Sequence, residues 1–316
     1  MNTEIFYLQH MNWKIKLVLL FAQLRKPIDA NTVTNIRSLR KKSDKAAWLG
    51  TYLFDRKIPV QAVTNTDADG VPVRIYKNSS AERQRVLVYY HGGGFVLYGT
   101  YSHDNVCRRL CTMNNCIVVS VDYRLAPEHT YPAAHEDAYK ALLWTRNNIE
   151  FYGGHAEDIV VAGDSAGGNI SACMAHLCRQ NHIPLKAQVL IYPWIDGRLN
   201  NPSIERNGRG YLLEKETMLW FQKQYTPRPE DHCVPGVSPC YQTAFEGMAP
   251  ALILTAQFDP LLDDGANYYK QLQQNGIPVT YHTYEHLFHG FFNIPEVHPN
   301  ALKAFADIQQ FLSGIS

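Results

Sequence analysis

No C-x-x-C pair and no cluster of cysteines and histidines at metal-ligand spacing occurs in these 316 residues, and the seven cysteines are odd in number. A disulfide framework and a bound metal are therefore not expected, and a reducing, cytoplasmic setting suits the thiols better. Cys173 and Cys178 fall on an expected helix, where they read as small hydrophobes. An excess of one charge is also missing. The formal net charge is +1 at pH 7, so no overall field draws the chain to nucleic acid or to an acidic membrane surface. Internal repeats and low-complexity segments are absent, as is any apolar run long enough to span a bilayer. The stretch Lys14–Arg25 has a basic start and an apolar centre, but the run Leu17–Ala22 is short, Gln23 and Arg25 follow quickly, and no A-x-A-like cleavage site is present. It reads as an amphipathic helix that packs on the protein or lines an entrance, not as a stable membrane insertion. The sequons Asn78-Ser-Ser80 and Asn169-Ile-Ser171 have no secretion signal to give them meaning.

What is present is ordinary for a globular protein with a large core: 46% hydrophobic and 19% charged residues. Residues 1 to about 50 look helical, with Leu39, Ala46, Trp48 and Leu49 able to supply an apolar face. From Pro59 the pattern turns to short runs. Val60–Asn65 and Val71–Tyr76, around Asp67-Ala-Asp-Gly70, predict a β-hairpin. Strands are expected at Arg85–Tyr90, Cys116–Asp122, Ile159–Ala162, Gln188–Pro193, Ala251–Ala256 and Val279–Tyr284. Helices are expected between them at Ser102–Thr112, Ala134–Ile149, Ala166–Cys178 and Gly265–Asn275, with a closing helix at Asn300–Leu312. This alternation predicts one α/β domain over 1–316, a mostly parallel sheet with helices on both faces. Two segments break the rhythm, 1–50 and about 196–230 (containing a helix Glu214–Tyr225), and are candidates for a cap over the strand ends. The catalytic core would then be about 51–195 and 231–316.

The apolar run Ile159–Ala162 stops at Gly163-Asp-Ser-Ala-Gly167 and a small-residue helix follows. That is the pattern of a nucleophile elbow, in which a tight turn projects a serine hydroxyl above the sheet edge. A G-x-S-x-G also arises by chance in loops, so the test is what accompanies it. Serine needs a base and a group to orient that base. In this fold they come in the order Ser, acid, His. Asp259 sits just past a late strand; Asp263 and Asp264 lie where the next helix starts and read as N-cap or first-turn acids. His289 lies past the following strand; His286 is its rival and His282 lies within the strand. His91-Gly-Gly-Gly94 follows a strand and precedes a helix, where glycine amides can turn toward an oxyanion with the Ala166 amide completing the hole. No phosphate-loop pattern accompanies these glycines.

His91-Gly-Gly-Gly-Phe, Asp122-Tyr-Arg-Leu-Ala-Pro-Glu-His, Tyr131-Pro-Ala-Ala, Gly163-Asp-Ser-Ala-Gly-Gly-Asn, Asp259-Pro-Leu and His289-Gly-Phe together resemble the hormone-sensitive-lipase-like α/β-hydrolases, whose bacterial members include acetyl-esterase-like enzymes. The resemblance implies an eight-stranded, mostly parallel sheet, a helical cap, and hydrolysis of small-molecule carboxylic esters with short to medium acyl chains, without a cofactor. It implies Ser165 as nucleophile, His289 as base and Asp259 as its orienting acid. It places the oxyanion hole at Gly92, Gly93, Gly94 and Ala166, with Gly93, Gly94 and Ala166 donating and Gly92 allowing the turn. Phe95, Tyr98, Met218, Trp220 and Phe221 are candidates to line the substrate pocket, although the last three also have the spacing of a packed helix face. Arg124 is expected in a buried ion pair with Glu128 or Asp137, and Asp164 in a hydrogen bond away from the chemistry. The same triad could serve amide, thioester or peptide hydrolysis, and a non-catalytic receptor could share the fold. An exposed edge strand would let two copies pair.

Overall fold

Strand residues that alternate between two apolar environments build a sheet buried on both faces. In β3 (Gln84–Tyr90), Val86, Val88 and Tyr90 enter one hydrophobic layer, while Leu87 and Tyr89 enter the other. A computed structural model describes residues 13–23, 28, 29, 33 and 35–315. It contains one eight-stranded sheet in the order β1-β2-β4-β3-β5-β6-β7-β8. The strands besides β3 are β1 (Ala62–Asp67), β2 (Pro72–Lys77), β4 (Ile117–Val121), β5 (Gly154–Asp164), β6 (Ala187–Ile191), β7 (Ala251–Phe258) and β8 (Val279–Phe288). The β1–β2 hairpin and the β2–β4 pair are antiparallel; every other pairing is parallel.

The α-helices among the described residues are α1 (Trp13–Gln23), α2 (Ile36–Phe54), α3 (Asp104–Asn114), α4 (Ala133–Asn148), α5 (Ala166–Gln180), the short α6 (Pro202–Asn207), α7 (Lys215–Tyr225), α8 (Leu262–Gln274) and α9 (Pro299–Ser313). One layer takes apolar residues from α4 and α5, such as Ala138, Leu142, Ile170 and Met174. The opposite layer takes Val106 and Leu110 of α3 with Ala304 and Phe305 of α9. The expected elements are all found. β5 begins five residues before its expected start at Ile159, and β8 continues past Tyr284 to Phe288. The β7–β8 ladder slips between Ala256 and Phe258 and then resumes with Phe258 opposite Phe288. A bulge of this kind leaves no mark in hydrophobic periodicity.

Helix α1 packs on the α3–α9 layer through Ile15 and Leu19, and Lys14 Nζ donates to the Glu296 carbonyl at 3.0 Å. Among the described residues no helix is long and apolar enough to cross a membrane. In α2, Leu39 is half-buried but Leu49 is exposed, contrary to the apolar face expected of it, and the side chain of Trp48 lies outside the described ones. Arg40 fixes α2 instead: it donates to the carbonyls of Val96 and Ala126 at 2.8 and 2.7 Å and forks onto the Glu128 carboxylate.

The chain leaves β3 for β4 on one side of it and then returns to β5 on the other. Such a switch point opens a crevice at the carboxyl ends of the two strands. The loop after β3 begins at His91, and the turn after β5 holds Ser165.

Candidate active site

Parallel register sets Tyr90 opposite Gly163, so the glycine loop and the serine turn leave the sheet side by side. Ser165 has φ 56° and ψ −117°, a strained conformation for a residue with a side chain. The turn is held by Ser165 N–H donating to the Ile191 carbonyl at 2.9 Å, while the Ser165 carbonyl accepts from Asn169 and Trp194 at 3.1 and 3.2 Å. Close approach dictates the glycines. A Cβ at Gly167 would stand 1.9 Å from the Tyr90 carbonyl oxygen, and one at Gly163 would stand 2.4 Å from the Gly167 carbonyl carbon.

Asp259, fully buried just past β7, accepts the Leu261 amide at 2.7 Å on Oδ1 and faces His289 Nδ1 at 2.8 Å with Oδ2. The carboxylate can only accept, so the proton between them belongs to Nδ1. Nε2 then carries a lone pair, and it lies 3.0 Å from Ser165 Oγ. The Tyr192 ring flanks the imidazole at 4.5 Å between centroids. The three side chains read from the sequence are thus brought together in one relay. His286 is not part of it: it sits on β8 with φ 63°, and its amide donates to Gln257 Oε1 at 2.9 Å. Substituting His286 with alanine is expected to leave ester turnover within about twofold of the parent, measured as kcat on a chromogenic ester.

Asp263 and Asp264 do occupy the first turn of α8, but their carboxylates tie a neighbouring loop rather than cap the helix. Asp264 Oδ2 accepts the amides of Ile195 and Asp196 at 2.8 and 2.9 Å, and Asp263 accepts the Ser203 amide at 2.8 Å.

The three glycines of the loop, Gly92, Gly93 and Gly94, divide by role. Gly92 N–H donates to Asp164 Oδ1 at 2.9 Å, so it supports the loop and has no donor left for an oxyanion. Gly93 and Gly94 have φ of 121° and 61°, and the Gly93 carbonyl accepts the Val96 and Leu97 amides at 3.1 and 2.9 Å, which folds the loop back on itself. Among the described residues, the amides of Gly93, Gly94 and Ala166 meet no protein acceptor. These three remain as donors for a negative oxygen.

Asp164 turns away from Ser165 into a buried knot. Tyr89 Oη donates to it at 2.7 Å, His103 Nε2 approaches at 3.3 Å, and Tyr192 Oη and Asn293 Nδ2 reach it at 3.5 and 3.4 Å. Burial alone pushes this carboxyl up. The opposing pull of His103, Tyr89 and His91 is stronger and holds it at about 2. His91 stacks on Tyr123 at 4.2 Å and points Nδ1 to the Gly92 carbonyl at 2.7 Å; burial, followed by repulsion from His103, lowers its pKa to about 3. The Asp164 partners come from β3, the residue before α3, the residue after β6 and a turn before α9, with no spacing in the sequence to connect them.

Of the five residues expected to line a pocket, Phe221 lies against Gly94, where a Cβ would stand 2.4 Å from its ring, and Tyr98 lies against Gly93 at 2.9 Å by the same measure. Met218 and Trp220 are buried in the α4–α5 layer beside them. Phe95 is a different case: it is buried in a stack on Tyr225, with centroids 3.7 Å apart, so its ring packs the loop from behind instead of facing a ligand. Arg124 pairs with Asp137 at 2.8 Å and with Glu136 at 3.3 Å, but its side chain is 45% exposed, so the pair is not the buried one expected. Glu128 belongs to Arg40.

Residues 87–293 match the model of a family described as having the alpha/beta hydrolase fold. The chain belongs to the hormone-sensitive-lipase-like α/β-hydrolases. Among the curated relatives of this α/β-hydrolase, an ethyl acetate hydrolase of Pseudomonas putida is 36% identical over 241 residues, covering 75% of this chain and 76% of the relative. The carboxylesterase NlhH of Mycobacterium tuberculosis is 41% identical over 239 residues, covering 74% and 75%. Among solved structures, an esterase of Pyrobaculum calidifontis superposes with a TM-score of 0.86 at 33% identity, over 95% of this chain and 99% of that one.

Proposed function

We propose that this α/β-hydrolase is a serine carboxylesterase acting on short- to medium-chain esters of small molecules. The carrying observation is the continuous relay from Asp259 through His289 to Ser165, with the Gly93, Gly94 and Ala166 amides left undonated at its head. In the reading this supports, Ser165 Oγ attacks the ester carbonyl carbon as His289 Nε2 takes its proton. The carbonyl oxygen becomes an oxyanion held by those three amides. Collapse breaks the bond to the alkoxy oxygen, which leaves as the alcohol with the proton from His289. Water, deprotonated by the same nitrogen, then attacks the acyl-enzyme and releases the acid, restoring Ser165. Esters of ethyl acetate hydrolase's type, named for the Pseudomonas relative, are the starting point for substrates.

The preference for short acyl chains rests on Phe221, seated against the oxyanion loop with Met218 and Trp220 behind it. Of the expected cap segments, 196–230 through α7 and 1–50 through α2 support a cap at the strand ends, whereas α1 packs on the body. Seven free cysteines support the cytoplasmic setting, and an edge strand, β1 or β8, is where two copies would pair.

A series of p-nitrophenyl esters from acetate to dodecanoate tests the reading, together with labelling by a fluorophosphonate. Turnover falling away at the longest chains, and a label mapped to Ser165, are expected; absence of labelling would sink the reading. The Phe221→Ala variant should raise the octanoate-to-acetate ratio of kcat/KM about tenfold, roughly 1.4 kcal/mol of relieved crowding and new apolar contact.

A further inference from the structure

Helix α7 meets the oxyanion loop at two points four residues apart, which places both on one helix face. Phe221 covers Gly94. One turn later, Tyr225 stacks on Phe95 with centroids 3.7 Å apart and planes only 8° from parallel. Phe95 needs such support. Its φ is 63°, a left-handed conformation that costs an aromatic residue on the order of 1 kcal/mol or more unless its surroundings impose it.

The Tyr225 ring is itself tethered. Asn169 uses its amide nitrogen on the carbonyls of Trp194 and Val237, both at 2.7 Å, which turns its Oδ1 toward His135 Nε2 at 3.1 Å. The Nε2 proton therefore goes to Asn169. Nδ1 is left as an acceptor, and the Tyr225 hydroxyl donates to it at 3.1 Å. Asn169 in turn gives its backbone amide to the Ser165 carbonyl at 3.1 Å. A single chain of contacts thus runs from the serine turn through Asn169, His135 and Tyr225 to the residue that follows the oxyanion glycines.

We propose that Tyr225 is a positioning residue for ester hydrolysis, whose ring fixes Phe95 and thereby aims the Gly94 amide at the developing oxyanion. This rests on the esterase reading above. A donor misplaced by a fraction of an ångström still admits substrate but no longer stabilises the transition state, so the loss belongs in kcat and not in KM.

The test compares Tyr225→Leu, which removes the stack, with Tyr225→Phe, which keeps it. Both are assayed on p-nitrophenyl acetate and titrated with an alkyl trifluoromethyl ketone, whose hemiketal adduct places an oxyanion in the hole. For Tyr225→Leu, kcat should fall tenfold to about a hundredfold with KM within about threefold, and ketone affinity should fall with kcat/KM. Tyr225→Phe should recover kcat to within about threefold of the parent. Unchanged kcat in Tyr225→Leu, a change in KM alone, undiminished ketone affinity, or a phenylalanine variant as poor as the leucine one would each overturn the proposal. If Tyr225→Leu does not fold, Phe95→Leu breaks the same stack from the loop side and carries the same expectations. A parent protein that neither hydrolyses esters nor binds the ketone fails the esterase reading and takes this inference with it. A competent parent with an indifferent Tyr225→Leu fails this inference alone.

Discussion

Ser165→Ala is expected to lower kcat on short-chain esters by a factor on the order of 10⁶, with His289→Ala nearly as damaging and the double variant no worse than either. The non-additivity follows from the geometry. Nε2 of His289 has one task at 3.0 Å from Ser165 Oγ, and without the hydroxyl there is nothing for it to deprotonate. Asp259→Asn should cost less, on the order of 10⁴, because an amide can still occupy the space but can present its N–H to Nδ1 and favour the wrong tautomer. Residual rate in all of these variants should come from the Gly93, Gly94 and Ala166 amides, which the substitutions do not touch. Pre-steady-state bursts of p-nitrophenol, followed at matched protein concentration, measure the effect. A burst surviving in Ser165→Ala would assign acylation to another group and dismantle the relay.

Much of this site could be read in the sequence because each part follows a strand at a fixed offset. Ser165, Asp259 and His289 each sit within a residue or so of a strand's carboxyl end, and hydrophobic runs mark those ends well. His289 was the least secure, because the run after Val279 looked complete at Tyr284 while the ladder continues to Phe288 past a bulge. The separate roles of the three glycines are legible only through the family resemblance. Three adjacent glycines look alike in sequence, and the Asp164 carboxylate, 2.9 Å from the Gly92 amide, supplies the physical reason why the first anchors while the next two can donate. Phe95 and Tyr225 form a contact between residues 130 positions apart, which no local periodicity encodes. Tyr225 does stand four residues after Phe221, so the shared face was visible, but its partner was not. The knot around Asp164 was foreshadowed only by the presence of a carboxyl group beside a nucleophile.

That knot supports the second large prediction. Asp164→Asn keeps an acceptor for Gly92 and Tyr89 but replaces the other oxygen with an N–H group that faces the donors of His103, Tyr192 and Asn293. It also removes the one negative charge buried among them. Leaving buried donors without their acceptor typically costs about 1–3 kcal/mol, and more where the acceptor is charged, so the urea midpoint of the variant should fall below the parent's. Activity should fall separately, because the new N–H group is repelled by the donors that face it and displaces the side chain that holds the Gly92 amide; a kcat lowered tenfold or more in the fraction that remains folded is the expected reading. The pH dependence has a definite sign. The folded-state pKa of Asp164 lies at about 2, below the usual carboxylate value, so its contribution is present in full above about pH 4 and is lost as the pH falls through 2. Melting curves taken from pH 5 down to pH 2 should therefore steepen their decline in the parent by an amount on the order of 2 kcal/mol that Asp164→Asn lacks. Parallel declines would mean that the charge on Asp164 contributes no stability, and that Gly92 is held by a neutral acceptor equally well.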